Sequence, residues 1–358
     1  MVKYRRKIGK SKFGSVSEKD VVYIGLDVHK SSVHSAVRIN SQVQTTVMPA
    51  EIGGILATLD PLRPACRKIV YEAGPTGFGL ARELERQGWP VEVIAPGKTP
   101  KPANEGSKTD RLDCRKLAEY SEKDLLRKIA IPTEQEEADR QVTRLRNQLV
   151  KKQRRTKHQI KSFLLLHGIK EPPGLKYWTQ GSIQDLRELC LSRELRFTLD
   201  ILLDELDHLG GLVRRVMEEL DRLAKEERYA RKQARLRTHP GVGSTVAMKY
   251  LTEVFQPGRF GDPDEVASFI GLAPRVSQSG ERLREGPLQK AGQGDLRALL
   301  VQAAWQWVRR DRRAAAAYRR LVRNTGCAQM AIVGLARRMA VNLWCMLVRD
   351  QDYHPLVA

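Results

Sequence analysis

Two carboxylates stand three residues apart in the segment GSKTDRLDCRKLAEY, which covers residues 106–120. If this segment is a helix, Asp110 and Asp113 are neighbours on its surface, where two ionised carboxylates repel each other. The lysines and arginines around them could neutralise the pair on a solvated face. A divalent metal ion is the alternative with chemical consequences, because it binds carboxylate oxygens and draws its ligands from more than one segment.

Two further acids occur where apolar residues are expected. Asp27 lies within VVYIGLDVHK, and Glu72 ends the apolar part of KIVYEAG, directly before a glycine turn. A buried carboxylate is costly unless it is paired or binds a metal. Taken singly, Asp27 could cap a turn and Glu72 could pair with a lysine. Acids at the ends of two adjacent strands can, however, converge on one point with Asp110 and Asp113 of the later helix.

Four converging carboxylates predict phosphoryl transfer. Without a cation they would raise one another's pKa, whereas one or two Mg²⁺ ions would keep them ionised. Two metal ions roughly 4 Å apart can activate the attacking oxygen and stabilise the leaving oxygen of an in-line displacement. The predicted metal ligands are therefore Asp27, Glu72, Asp110 and Asp113.

The charge of the chain predicts a polyanionic partner. Its 358 residues include 63 Lys and Arg against 42 Asp and Glu, which gives a formal net charge of +21 and a pI near 10.0. Such a field concentrates phosphate backbones near the surface. Residues 1–20 lack the apolar core of a signal peptide, and no stretch approaches the roughly 20 apolar residues that span a bilayer. We therefore expect a cytoplasmic protein with no membrane partner.

The five cysteines predict neither a zinc site nor a disulfide framework. They are odd in number, far apart in the chain and without any C-x-x-C pair. We expect them to be free thiols that lie mostly in the core.

The first part of the chain predicts a mixed α/β domain over residues 21–132, preceded by a flexible basic arm, residues 1–20. The segment VVYIGLDVHKSSVHSAVRI holds two runs rich in Val and Ile around a polar break, which is typical of a β-hairpin. A third extended run, QVQTTVMP, follows, and helical and extended segments then alternate up to the helix of the acid pair. This order indicates a mixed sheet covered by helices.

Long helices are predicted for residues 133–235, where Gly and Pro become rare. One segment repeats apolar residues at alternating spacings of three and four, a heptad seam formed by Leu199, Leu202, Leu206, Leu209, Val213, Val216, Leu220 and Leu223. That periodicity favours a coiled coil or an antiparallel helical pair. A helix packed on its own domain is the alternative, although its apolar stripe would be broader.

The segment RLRNQLVKKQRRTKHQIK, residues 144–161, contains eight basic residues and no acid. A charge run is usually a solvated face, but on a strongly basic chain the lack of compensating acids favours contact with a nucleic-acid backbone. The predicted contact residues are Arg144, Arg146, Lys151, Lys152, Arg154, Arg155, Lys157 and Lys161. Residues 305–323 repeat the pattern, with seven arginines against one aspartate and with aromatic residues between them.

The last region, residues 236–358, begins with the turn THPGVGSTVA. Pro240, Gly241 and Gly243 stand just before a predicted helix, where backbone N–H groups and the helix N-terminus could hold a phosphate. A tight turn between two helices needs the same residues. Both interpretations stay open at this point.

In their order, these motifs resemble those of the DEDD transposases of the IS-one-ten insertion-sequence family, relatives of the Piv-type DNA invertases. The first domain carries GLDVHK, YEAGPTG and KTDRLDCRKLAEY. The last region carries LRTHPGVGSTVA and FIGLAPRVSQSGERLREGPLQKAGQGDLRALLVQAAW. The resemblance covers nearly the whole chain beyond the basic arm, and the ordered succession of motifs is more specific than any one of them.

The resemblance implies an α/β RNase H-like first domain similar to that of Holliday-junction resolvases, a helical coiled-coil middle and a mostly α-helical last domain. The four acids named above match the four acids of the family. The resemblance also implies a serine nucleophile before the glycine of QSG, which here is Ser279, with Ser277 two residues away. The basic residues that could hold the scissile phosphate are Arg275, Arg282, Arg284, Lys290 and Arg297.

The resemblance further implies recombination rather than simple cutting. Ser279 would attack a DNA phosphodiester with help from the acids and Mg²⁺, and a covalent phosphoserine link would conserve the bond energy for rejoining. The implied partners are donor and target DNA and a structured bridge RNA encoded beside the gene, which suits the basic segment 144–161. The heptad segment could join protomers into a dimer or tetramer, so that the first domain of one meets the last domain of another.

Two other functions stay open on the sequence. A metal-dependent, structure-specific endonuclease would use the four acids alone, and its cleavage would survive the change Ser279→Ala. A dimeric nucleic-acid-binding protein without enzymatic activity would explain the charge and the heptads, but it leaves Asp27 and Glu72 without a purpose.

Overall fold

The computed structural model describes residues 13, 16–96, 99, 110–279, 282–288 and 292–354, so most of the predicted basic arm lies outside the described residues. The chain divides into two compact units, Met1–Pro132 and Thr133–Ala358. Each unit has a hydrophobic core of its own. The further division predicted between residues 235 and 236 stays a prediction.

The first unit is built on a five-stranded mixed sheet. Its strands are β1 (Val22–Val28), β2 (Ser32–Ile39), β3 (Gln42–Pro49), β4 (Cys66–Glu72) and β5 (Val91–Ile94). Their order across the sheet is β3-β2-β1-β4-β5; β1 and β3 run antiparallel to β2, and β4 runs parallel to β1 and β5. The predicted hairpin and mixed sheet are therefore confirmed.

Helices cover both faces of this sheet. They are α1 (Ile52–Leu59), α2 (Gly79–Arg86) and α3 (Asp110–Glu122). The fully buried Leu26 of β1 shares a core with Ile55 of α1 and Leu84 of α2. Ala36 of β2 instead packs with Cys114 and Ala118 of α3. The alternation of strand residues between two apolar faces thus explains why β1 and β2 read as almost continuous hydrophobic runs.

Gly25 allows α3 to approach the sheet at backbone distance. A Cβ atom at this position would lie 2.2 Å from the carbonyl oxygen of Cys114 and 2.6 Å from the amide nitrogen of Ala118. No side chain fits there. The Gly-Leu-Asp sequence of β1 therefore places Asp27 two residues beyond the point of closest contact with α3.

The second unit is mostly helical. Its helices are α4 (Glu134–Leu166), α5 (Gln180–Glu188), α6 (Arg193–Ala224), α7 (Glu227–Leu236), α8 (Ser244–Glu253), α9 (Pro263–Ile270), α10 (Gly294–Arg310), α11 (Arg312–Thr325) and α12 (Ala328–Val348). An antiparallel hairpin of β6 (Pro274–Ser279) and β7 (Arg282–Leu288) lies between α9 and α10. A capping box of Thr133 and Glu136 starts α4, which explains the sharp beginning of this long helix.

The predicted heptad segment forms α6, and it packs against α4 of the same chain. Leu164, near the end of α4, shares a core with Leu199 and Leu203, near the start of α6, so the two helices are antiparallel. Leu203 is fully buried although it lies outside the predicted seam, whereas Leu202 is only half-buried. The stripe is therefore broader than a two-position seam. An antiparallel helical pair was one of the two predicted arrangements, and the expected coiled coil is not supported because the seam is occupied within the chain.

Two glycines in the left-handed region allow backbone segments of the second unit to touch. Gly241 has φ +92, and a Cβ there would lie 2.6 Å from the carbonyl oxygen of Ala303 in α10. Gly292 has φ +104, and a Cβ there would lie 2.5 Å from the carbonyl oxygen of Phe269 in α9. Gly292 thereby fixes the base of the β6–β7 hairpin against the end of α9.

Among the described residues, α12 is the one helix long and apolar enough, by length and composition, to cross a membrane. The expectation that no stretch approaches this character is therefore wrong. The apolar residues of α12 serve the core of the second unit, where Leu335, Met339 and Leu343 are fully buried. A core helix accounts for its composition.

The five cysteines are free, as expected. Cys114 is buried and Cys190 is exposed, while Cys66, Cys327 and Cys345 are half-buried. Cys114 belongs to a core, and Cys66 and Cys345 pack against the cores of the first and second units, so three of the five contact a core as predicted.

We expect Gly25→Ala to lower the free energy of unfolding of the first unit by about 1–3 kcal/mol, because the added Cβ forces α3 away from β1. Scanning calorimetry measures the change. The matched control is Gly53→Ala in α1, where a Cβ meets nothing within 4 Å. Equal unfolding temperatures for the two variants would contradict the close backbone contact.

We expect Leu206→Ala to lower the free energy of unfolding of the second unit by about 2–4 kcal/mol, because Leu206 is 3% exposed in the α4–α6 core. Urea unfolding measures the loss, and Ile201→Ala on the same helix, where the side chain is 53% exposed, is the control. If Leu206→Ala instead halved the mass in sedimentation and left the unfolding curve of the monomer unchanged, the seam would act between chains.

Candidate active site

The ends of two neighbouring parallel strands place the first two predicted acids. Leu26 of β1 is opposite Tyr71 of β4, so Asp27 and Glu72 follow at equivalent positions. Glu72 is exposed, and the Asp27 side chain keeps an exposed fraction of 26%. The expectation of buried carboxylates is therefore wrong, because both strands end where a cavity admits water.

Helix α3 brings the third acid to the same edge of the sheet. Asp113 lies partly buried in the first turn of α3, next to Cys114, whose carbonyl group contacts β1 at Gly25. Asp110 is the first residue of α3, and its side chain lies outside the described part of the chain. The close packing of α3 on β1 therefore determines how the later acids meet the earlier ones.

Asp27, Glu72 and Asp113 line one cavity of about 970 Å³. Its other walls include the turn at residues 74–76 that follows β4, and Glu83 of α2. Acids from two strands and two helices thus surround a single space. The structure brings together three of the four predicted acids, and the fourth begins the same helix as Asp113.

Polar partners hold two of these carboxylates. The Nε2 atom of His29 lies 3.3 Å from Oδ2 of Asp27. The hydroxyl group of Thr99 donates a hydrogen bond of 2.7 Å to Oε1 of Glu72, which therefore has a hydroxyl partner rather than the lysine considered above. Burial raises the pKa of the Cys114 thiol to about 11, and the charge of Asp27 contributes to the rise.

Sequence reasoning missed three residues of this site. His29 stands two positions after Asp27, and the alternation of side chains in DVHK was a signal that could have identified it. Thr99 and Glu83 come from segments that carry no pattern of their own. They join the site only because the chain returns to it after β4.

The acidic residues that line the cavity are of the type that binds a divalent cation. Carboxylate oxygens are the ligands that Mg²⁺ takes, and within the described ranges neither Glu72 nor Asp113 has an ion-pair partner. In the same part of the chain, no group of three or more His, Cys, Asp or Glu is close enough together to hold a metal ion. The carboxylate of Asp110 is not included among these groups, because its side chain lies outside the described residues.

The β6–β7 hairpin of the second unit carries the serine implied by the resemblance. Ser279 ends β6 opposite Arg282 of β7, and Ser277 is opposite Arg284. Alternate positions of a strand and their cross-strand partners share a face. These four positions therefore lie on one face of the hairpin.

The other predicted phosphate ligands fall in different places. Arg275 lies where the register of β6 shifts, between Pro274 and Val276, and Lys290 lies outside the described residues. Arg297 of α10 donates hydrogen bonds of 3.5 and 3.3 Å to the carbonyl oxygens of residues 270 and 271. Arg297 therefore joins α10 to the end of α9.

The basic segment 144–161 belongs to α4, and its first arginine serves the interior. The guanidinium of Arg144 donates two hydrogen bonds of 3.0 Å to the buried carboxylate of Glu253, which also accepts one of 2.7 Å from Lys249. Burial raises the pKa of Glu253, but the Arg144 hydrogen bonds and the Lys249 charge outweigh it, so the pKa lies below the usual value. Acids that segment 144–161 lacks are thus supplied by other parts of the chain.

Most of the other basic residues of segment 144–161 are also paired or partly buried within the second unit. Lys151 pairs with Asp295 at 2.6 Å, and Lys161 pairs with Glu171 at 2.6 Å. The ammonium group of Lys157 lies 5.2 Å from the centre of the Trp178 ring. Burial lowers the pKa of Arg146. Lys152, Arg154 and Arg155 are exposed, and no ion pair engages them in the described part of the chain. These three residues are the available cationic surface of the helix.

The THPGVG turn connects two packed helices. His239 is 1% exposed between the rings of Trp307 and Tyr353, whose centroids lie 4.6 and 4.2 Å from its own. Gly241 contacts the backbone of α10, as described above. Both observations favour the interpretation as a tight helix–helix turn. Burial lowers the pKa of His239 to about 4.

Two family models match this chain. Residues 24–169 match a transposase model of the DEDD type, and residues 233–319 match the model described as the transposase IS116/IS110/IS902 family. The first match contains the sheet and all four acids, and the second contains the hairpin with Ser279. Fold and site together define a transposase with an RNase H-like DEDD domain, as the resemblance implied.

Relatives that match longer stretches of this chain are also transposases by name. The chain is 30% identical to the transposase for insertion sequence element IS1533 of Leptospira borgpetersenii, over 80% of this chain and 86% of that protein. It therefore belongs to the IS116/IS110/IS902 family of transposases. It is also 31% identical to the putative transposase y4qE of Sinorhizobium fredii, over 66% of this chain but only 57% of that protein. The transposase for IS1111A of Coxiella burnetii is 25% identical over 94% of this chain and 92% of its own length.

We expect the second unit to lose stability between pH 6.5 and about pH 4 through His239. Its folded-state pKa of about 4 lies below the usual 6.5, so the unfolded chain binds the proton first, and stability present above pH 6.5 is lost as the pH falls. The loss amounts to about 3 kcal/mol at most. Urea unfolding at several pH values measures it.

His239→Gln removes this part of the pH dependence, whereas His208→Gln, at an exposed position of α6, leaves it in place. An unchanged slope in His239→Gln would mean that other groups cause the acid sensitivity.

Proposed function

We propose that this chain cuts and rejoins DNA strands as the transposase of an insertion sequence, with Ser279 as nucleophile and with a Mg²⁺-binding cluster of Asp27, Glu72, Asp110 and Asp113. The observation that carries the proposal is the cavity at the ends of β1 and β4, which Asp27, Glu72 and Asp113 line together. Membership of a transposase family makes DNA the substrate.

The acids would hold the metal. Glu72 and Asp113 have no ion-pair partner in the described ranges, and ionised carboxylates that face one cavity repel each other unless a cation joins them. When bound, Mg²⁺ would neutralise charge on a phosphate and on the leaving oxygen. The Thr99 hydroxyl orients the Glu72 side chain by donating a hydrogen bond to its Oε1 atom.

The serine would carry the covalent step. Its Oγ attacks the phosphorus, a new O–P bond forms, and the bond from phosphorus to a deoxyribose oxygen breaks. The serine proton passes to a base, and the freed deoxyribose oxygen takes up a proton. Attack by a hydroxyl group of another strand then reverses the step, releases Ser279 and joins the two strands. No external energy source is needed, because one phosphate ester replaces another.

Arginines beside the serine support this role. Arg282 and Arg284 occupy the positions opposite Ser279 and Ser277 on one face of the hairpin. Guanidinium groups donate hydrogen bonds to phosphate oxygens in pairs and stabilise the charge that develops during transfer. Gly292, which follows the hairpin, lies against the backbone at the end of α9, so a close backbone contact stands beside the element that carries the serine.

The proposal includes a bridge RNA and a homo-oligomer, a dimer or tetramer, as partners. The formal charge of +21 supports a second nucleic acid beside DNA, and the exposed Lys152, Arg154 and Arg155 give α4 an outward cationic face. Because the acids belong to the first unit and the serine to the second, two protomers could complete one reaction centre.

The test is a search for protein bound covalently to DNA. Cells express the chain together with the DNA that flanks its gene, the lysate is denatured in detergent, and DNA that remains attached to the protein is quantified. We expect an adduct in the unaltered chain, none in Ser279→Ala, and a loss of about a hundredfold or more in Asp113→Asn. Ser277→Ala is the matched control, because it removes a hydroxyl group from the same face of the same strand.

An adduct that persists in Ser279→Ala would contradict the serine assignment. If Ser277→Ala alone abolished the adduct, the nucleophile would be the neighbouring serine. Strand breaks that depend on Asp113 and leave no adduct would establish the endonuclease instead.

A further inference from the structure

Helix α11 presents an arginine face that none of the preceding roles uses. One side of the helix holds the exposed positions Arg312, Ala316, Arg319, Arg320 and Arg323, and the exposed Arg313 borders this side. The opposite side packs into the core of the second unit through Ala314 and Leu321. Arg312 and Arg319 are seven residues apart, which is about 10 Å along the axis. Only the small Ala316 lies between them on this face.

Within the described ranges, this arginine face has no counterion from the protein. In the described part of the chain, no carboxylate forms an ion pair with any of its four arginines, whereas the nearby Arg337 pairs with Asp264 at 2.6 Å. The one acid of the region, Asp311, caps the N-terminus of α11, where its Oδ1 accepts hydrogen bonds from the N–H groups of Arg313 and Ala314. Its other oxygen accepts from the indole of Trp307.

Helix stability does not explain the arrangement. Arg320 and Arg323 are three residues apart and Arg319 and Arg323 four apart, so like charges are neighbours on the helix surface. Arg312 opens the first turn, at the positive end of the helix dipole, where the N-cap Asp311 is the one acid. The repulsion between the arginines opposes folding of the helix. An external anion that covers the face would relieve this repulsion.

We propose that this arginine face binds the phosphate backbone of duplex DNA, outside the reaction centre. The inference rests on the proposed function only in taking DNA as the substrate. The contacts are independent of DNA sequence, because the face offers guanidinium donors and a methyl group but no amide or carboxylate side chain to read bases.

Duplex DNA fits this face better than RNA. Recognition of single-stranded RNA uses exposed aromatic rings on which bases stack. The aromatic residues nearest the face, Trp305 and Tyr318, instead contact each other edge to face, with ring centroids 5.4 Å apart. Arginine also lacks any acceptor for a 2′-hydroxyl donor. A row of donors with a small residue between them is suited to the regular phosphates of a rigid duplex.

The experiment measures binding of the full chain to a 30-base-pair DNA duplex and to an RNA duplex of the same sequence, at a series of salt concentrations. EDTA and the background change Ser279→Ala exclude cleavage. We expect the triple variant Arg312→Gln/Arg319→Gln/Arg320→Gln to lower DNA affinity roughly tenfold or more and to reduce the slope of log K against log salt by about 2 to 3.

Two controls make the result specific. The variant Arg214→Gln/Arg215→Gln/Lys232→Gln removes the same charge from exposed helical positions elsewhere in the second unit, and it should keep the slope. The variant with lysine at positions 312, 319 and 320 keeps the charge and should also keep the slope. Circular dichroism confirms that each variant folds.

If the two glutamine variants lost DNA affinity equally, net charge alone would explain the effect, and the proposal would be overturned. An unchanged slope in the α11 variant would overturn it as well, and a loss confined to the RNA duplex would assign the face to RNA. Because no chemistry occurs in this assay, a failed search for the serine adduct leaves its outcome unaffected, and the reverse also holds.

Discussion

The contact between the backbone of α3 and the backbone of β1 at Gly25 is the constraint on which the candidate site depends. The carbonyl oxygen of Cys114 occupies the space that any Cβ at position 25 would need. Since Asp27 follows Gly25 by two residues and Asp113 precedes Cys114 by one, the same contact sets both acids relative to each other. Backbone contacts of this kind have no rotamers, so they hold the helix more rigidly than interdigitated side chains can.

The second unit has the same kind of backbone contact beside the hairpin that carries the proposed serine nucleophile. Gly292 lies against the backbone at the end of α9, and the guanidinium of Arg297 bonds to carbonyl groups of the same turn. Gly241 repeats the contact between the α7–α8 turn and α10. In both units, therefore, candidate site residues lie near a glycine at which two backbone segments touch. The positions of these residues depend on that backbone contact rather than on contacts made by their own side chains.

Periodicity and order along the chain predicted the mixed sheet, because β1, β2 and β4 alternate or bury residues in ways that belong to strands. The acids at the strand ends could also be predicted from the sequence. Their exposure to solvent could not, because burial depends on where neighbouring segments end. The heptad seam left a coiled coil and an antiparallel pair open, because a 3,4 repeat describes one helix and says nothing about whether its partner, here α4, lies in the same chain. The acids that neutralise Arg144 and Lys151 come from residues 253 and 295, far outside any local window.

Helix α4 carries two populations of positive charge that respond differently to ionic strength. Arg144 faces Glu253, which is 1% exposed, and buried pairs are only weakly screened by dissolved ions. Lys152, Arg154 and Arg155 face solvent, where attraction to a polyanion weakens with each increase in salt. If nucleic acid binds the outer side of the helix, as proposed, a rise in salt concentration would release it before it loosens the inner side. The proposed binding surface would be emptied while the packing of α4 stays intact.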